Sequence, residues 1–202
     1  MVRRSTFFFS RKNKTMPSLE TAALTLGELT LMGKGAKIAP LTSHGDALKW
    51  RPGPLQMLFQ PKAYNDTTAA RVSACFKSTP EIEEYIHELE QWILKEVSSN
   101  PLMYLGQTCS AAQVQERFTS ALKTSEKGYV HLRVKMNIAG KNQVKCWDAN
   151  SRLPRQAPDD WTLCEVTPFL HIKGIWVMSK DFGLLIEMPD ALVSESSQLC
   201  PF

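Results

Sequence analysis

A chain of 202 residues that is 43% apolar and 22% charged can bury one core of ordinary size, which excludes a wholly disordered protein because apolar burial can offset the ordering entropy. The net charge of +4 belongs to one end: residues 1–17 hold Arg3, Arg4, Arg11, Lys12 and Lys14 without an acid, and the rest of the chain sums to −1. Five widely spaced cysteines lack zinc-ligand spacing, and no apolar run approaches the roughly 18 to 20 residues that cross a bilayer, so a reducing compartment is expected and a membrane partner is not.

Residues 1–17 read as a basic disordered arm, with an organellar presequence as the alternative, ahead of a single globular domain over residues 18–193. From Leu24 to Phe76, Gly27, Gly33, Gly35, Pro40, Gly45, Pro52 and Pro61 break the chain into short strands and loops, with strands predicted over 28–32, 55–60 and 71–76. Gly33 and Gly35 precede Pro40 instead of a helix, so they lack the context of a phosphate cradle. At Ser78-Thr79-Pro80-Glu81 a hydroxyl cap, a proline and an acid start a helix. Ile82, Tyr85, Ile86, Leu89, Trp92, Ile93 and Val97 then form one apolar stripe, and Ser98 to Pro101 end it. Ser110 with Gln113 is a second capping signature; Val114, Phe118, Ala121 and Leu122 follow, so a second, shorter helix is predicted, with Gly128 after its last turn.

Beyond Gly128 the period becomes two. Val130, Leu132, Val134 and Met136 alternate with Tyr129, His131, Arg133 and Lys135, and Val144 and Cys146 alternate with Lys145 and Trp147. A loop is expected over 148–160, then strands over 161–166, 169–178 and 182–188, with Pro189 ending the last and residues 194–202 forming a flexible tail. Parity breaks inside 169–178. A bulge at Gly174 restores it, placing Leu170, Ile172, Ile175 and Val177 inward and His171, Lys173 and Trp176 outward.

The charge of the domain is polarised: −5 over 78–126, +5 over 127–180 and −4 over 181–202. The basic segment carries the outward rings. Tyr129, His131, Arg133, Lys135, Lys145, Trp147, His171, Lys173 and Trp176 combine cations, which neutralise phosphates, with flat rings, which stack on unpaired bases. A merely solvated strand face is the competing explanation. Asp148, Asp159 and Asp160 read as turn residues and not metal ligands, and His87 beside Glu83 and Glu84 reads as a solvated helix face. Cys109 and Cys164 have no histidine close in sequence. No catalytic residue, metal or cofactor is therefore assigned, and no enzyme is expected.

The segments PLQMLFQP at 54–61, the acidic helix start at Ser78, PLMYLG at 101–106, YVHLRVKM at 129–136 and IKGIWVMSKDFGLLIEM at 172–188 follow one another in an order that resembles a known family. The family is the OB-fold single-stranded DNA-binding proteins of nucleocytoplasmic large DNA viruses, of the African swine fever virus type; phage single-stranded DNA-binding proteins are more distantly similar. The resemblance implies an α+β fold, an OB-like, mostly antiparallel β-barrel with two packed helices. It also implies sequence-tolerant, non-catalytic binding of single-stranded DNA in viral DNA replication, recombination or repair. Arg133, Lys135, Lys145 and Lys173 would contact phosphates, Tyr129, Trp147 and Trp176 would stack, and the arm would add a salt-sensitive increment. RNA as ligand, replication proteins as partners and a homo-oligomer stay open, in a viral factory, cytoplasm or nucleus. The alternative function is a structural or adaptor protein that offers the acidic helix 78–97 to a protein partner.

Overall fold

The computed structural model describes residues 19–32, 35–62 and 69–195, so the expected arm and residues 196–202 lie outside the described residues. Among the described residues a 3-10 turn at Thr21–Ala23 is followed by five strands, β1 (Leu24–Leu26), β2 (Thr30–Leu31), β3 (Lys37–Ser43), β4 (Asp46–Trp50) and β5 (Leu55–Gln56). β6 (Arg71–Lys77) leads to three helices, α1 (Pro80–Ser99), α2 (Pro101–Leu105) and α3 (Ala111–Arg117). Then come β7 (Phe118–Thr119), β8 (Leu122–Thr124), β9 (Val130–Asn137), β10 (Lys145–Asp148), β11 (Pro154–Arg155), β12 (Cys164–Val177) and β13 (Phe182–Glu195).

Five of these strands close on themselves. β5 pairs with β12, β12 with β13, β13 with β9 and β9 with β6. β6 returns to the continuation of β5 through the Met57–Phe76 bridge and the Leu58 N–H, which donates to the Cys75 carbonyl at 2.8 Å. Every junction is antiparallel except the β9–β13 seam, where Glu187 lies opposite Lys135 in parallel register. A five-stranded ring of this kind with helices packed on it is an α+β, OB-like barrel. Its lumen is filled by Phe76, Leu132, Val134, Val166, Leu170, Ile172, Ile175 and Val193, all buried. β3 and β4 extend the wall along the far edge of β12.

α1 forms for the expected reasons. The Thr79 hydroxyl accepts the Ile82 N–H at 3.4 Å, Pro80 occupies the first turn, and the stripe from Ile82 to Val97 is buried, with Trp92 only partly so. Tyr85 from this stripe stacks on Trp50 with ring centroids 4.7 Å apart. The second helix stops at Arg117, not beyond Leu122. Phe118 and Leu122 enter strands, where Phe118 meets Phe182 edge-on at 5.3 Å. A further short helix, α2, lies over PLMYL and is ended by Gly106 at φ 71°. The strand expected over 28–32 shrinks to Thr30–Leu31, that over 55–60 to Leu55–Gln56, and β1, β3 and β4 arise where only short irregular strands and loops were expected.

The largest departures concern β12 and β13. The strands expected over 161–166 and 169–178 are one strand, preceded by a 3-10 turn at Trp161–Leu163, and Pro168 lies inside it. Pro168 is tolerated because it falls in the interval between the β5 and β4 pairings on that edge. Pro189 does not end β13. The register shifts between Phe169 and His171, which leaves Met188 and Pro189 as a bulge where a missing N–H costs no ladder bond. A second shift between Ile172 and Gly174 is the bulge expected from parity, and it buries Leu170, Ile172, Ile175 and Val177 while His171, Lys173 and Trp176 face out.

Candidate nucleic-acid interface

Alternation on β9 buries Leu132, Val134 and Met136 and leaves His131, Arg133 and Lys135 half-buried on the outer wall. Cross-strand register then fixes their neighbours, because directly opposed residues point to the same side of a sheet. Lys135 lies between Ser73 of β6 and Glu187 of β13, and its Nζ donates to the Ser73 Oγ at 2.9 Å. Glu187 in turn opposes His171 of β12, which opposes Lys49 of β4. The row Lys49–His171–Glu187–Lys135–Ser73 thus crosses five strands, about 19 Å along the curved wall at ordinary strand spacing. A second row runs Lys123–His131–Lys77 across β8, β9 and β6, and between the two Arg133 faces Cys75.

The upper part of the same face is built by β10. Lys145 opposes Asp190 and Trp147 opposes Leu192, while Asp190 opposes Phe169 on β12. The Trp147 indole N–H donates to Asp190 Oδ1 at 3.1 Å, which fixes one edge of a half-buried ring. The Arg51 guanidinium lies 4.9 Å above the Phe169 ring, a cation–π contact. Trp176 lies across Gly183: a Cβ there would sit 3.0 Å from the indole and overlap the Thr119 carbonyl. Tyr129 stands one residue before β9 and is 58% exposed.

Register therefore brings His131, Arg133, Lys135, Lys145, Trp147 and His171 onto the outer side of the barrel wall, with Lys173 at the β12 bulge and Trp176 on the hairpin beyond it. The sequence reading missed Lys49, Arg51, Arg71, Lys77 and Lys123. The signal for the first two was present, because Leu48 and Trp50 pack inward around Lys49 in a short alternation.

Burial first, and like charge after it, shift the titrating groups of this surface. Burial, then Arg133 and Arg71, hold the Lys135 ammonium below its ordinary value. Burial pushes His171 down, assisted by Lys173 and Lys49 and opposed by Glu187. His131 is lowered in the same way, by burial and by Arg133 and Lys123. Such a surface gains when an anion arrives. Two acids of the 148–160 loop are engaged within the loop and its end. Asp148 Oδ1 accepts from the Asn150 and Ser151 N–H groups, and Asp160 Oδ1 accepts from Thr162, so both close turns.

No family model and no curated protein matches the chain. Among solved structures, the single-stranded DNA-binding protein from bacteriophage Enc34 in complex with ssDNA aligns over 85% of this chain and 96% of its own, at TM-score 0.46 and 7% identity. A C-terminal truncation of the Enc34 protein aligns over 88% of this chain and 98% of its own, at TM-score 0.46 and 8% identity.

Proposed function

We propose that the chain binds single-stranded DNA, with little dependence on sequence, across the outer wall of β4, β12, β13, β9 and β6. The observation that carries this reading is the register that places cations from β4, β12, β9 and β6, and from β8 and β10, on the outer side of the wall with Trp147 and Phe169 among them. Arg133, Lys135, Lys145, Lys173 and Lys49 would neutralise phosphates, and the exposed or half-exposed rings would stack on bases. Residues 1–17 would add phosphate contacts of their own. A role in viral DNA replication, recombination or repair, inside a reducing compartment, is proposed on the sequence motifs.

Fluorescence anisotropy with a labelled dT 30-mer at several salt concentrations tests the proposal. Affinity should fall steeply with salt, and in the double variant Arg133→Gln/Lys135→Gln the slope of log K against log salt should be shallower by about 1.4, the loss of two single-strand phosphate contacts. A wild-type chain that does not bind at low salt would overturn the reading. That outcome would favour the adaptor alternative, in which the exposed Glu84, His87 and Glu88 of α1 meet a protein.

A further inference from the structure

One member of the central row has the wrong sign for a phosphate-binding wall. Glu187 sits between His171 on β12 and Lys135 on β9, and its Oε1 is held by the Arg71 guanidinium from β6. Its side chain is 31% exposed, so the carboxylate opens onto the face and is not sealed beneath it. Among the described residues Oε2 accepts no hydrogen bond. For phosphate binding alone this arrangement is counterproductive, since it repels the backbone and engages Arg71. It complements a different part of a nucleotide, the base edge that presents N–H donors. Cations on strands to either side, at about 4.8 Å per strand, can hold backbone around the carboxylate and leave a base facing it.

We propose that Glu187 is a specificity-determining residue that reads bases carrying an exocyclic amino group. Cytosine N4 or adenine N6 would donate to Oε2, whereas the 4-oxo group of thymine or uracil would set lone pairs against it. Uracil keeps a single edge donor, N3–H, and that lies between two carbonyl oxygens. The inference rests on the nucleic-acid reading above and refines its sequence tolerance into a modest preference.

Cytosine and uracil share ring size and lack the 5-methyl group, so labelled dC and dU 20-mers isolate this contact, measured with the full chain at pH 8, where cytosine is neutral. The wild-type protein should bind dC about five- to tenfold more tightly than dU, the range expected of one well-placed base contact. Glu187→Gln keeps an acceptor for Arg71 and gains a donor, and it should bring the ratio close to one with an unchanged melting temperature. Lys135→Gln, a phosphate contact, should weaken both ligands by the same factor and preserve the ratio. Equal wild-type affinities, a ratio that survives Glu187→Gln, or a gain for both ligands alike in that variant would each overturn the proposal while leaving nucleic-acid binding intact. Failure of the wild-type chain to bind either ligand would remove the parent reading and this inference together.

Discussion

Glu90 is the buried acid of the described core, 4% exposed, and it is fully engaged: it accepts the Ser120 hydroxyl at 2.8 Å and the Ala121 N–H at 2.7 Å. By taking that N–H it stabilises the chain reversal after α3, where the sequence periodicity would have continued the helix. Burial still pushes its carboxyl above the ordinary value, against these hydrogen bonds and the nearby His87 and Lys123. The sign of the linkage follows. The folded state holds this proton more firmly than the unfolded chain, so the contribution is complete below the ordinary carboxylate range and is lost as pH rises through the raised value. Glu90→Gln keeps an acceptor for Ala121 and removes the titration. Its melting temperature should vary less with pH than that of the wild type between pH 4 and 8, as calorimetry on both proteins would read.

At the level of elements, the β12 bulge shows how a single position sets the face. Gly174 has φ 135°, and a Cβ there would overlap the carbonyl of Ala39 on β3. Gly174→Ala should therefore cost about 3 kcal/mol or more, combining a strained conformation with a backbone clash, measurable by urea unfolding. The bulge was legible because apolar residues changed parity around a glycine. α1 was legible because cap, proline and stripe agreed. The end of α3 was not, for a geometric reason: Phe118 and Leu122 are four apart, a spacing that lies on one face of a helix and equally on one face of a strand. The unbroken length of β12 and β13 was hidden by Pro168 and Pro189, whose tolerance depends on where other strands leave off. The same limit applies to the candidate site. Outward residues of β9 followed from alternation, but that Lys49 would stand beside His171, or Lys77 beside His131, depends on pairings between distant segments that local pattern does not encode.

For the molecule as a whole, the proposed binding wall holds two imidazoles that burial and neighbouring cations keep down, and this would make binding responsive to acid. His131 is opposed by Lys77 and Lys123 and has Arg133 on its own strand; His171 is opposed by Lys49 and Glu187 and adjoins Lys173. Both imidazoles lie below the usual value of about 6.5 in the free chain. A bound phosphate backbone would offset the neighbouring cations and raise both, so the complex would take up protons that the free chain releases. Affinity for single strands should accordingly rise as pH falls below the ordinary histidine range. The double variant His131→Gln/His171→Gln should flatten that rise in anisotropy titrations at fixed ionic strength.

β12 and β13 follow every other described strand in the sequence, and the ring closes only through them: β3, β4 and β5 pair with β12, and β9 and β10 with β13. On a ribosome the strands made before them would therefore emerge with the edges that face β12 and β13 unmatched, and neither the lumen nor the row through Glu187 would exist until that hairpin is released. Until then such a nascent chain is open to strand-to-strand association with its neighbours, a liability that grows with the distance between partners. One hairpin thus closes the ring and completes the wall proposed to meet a ligand.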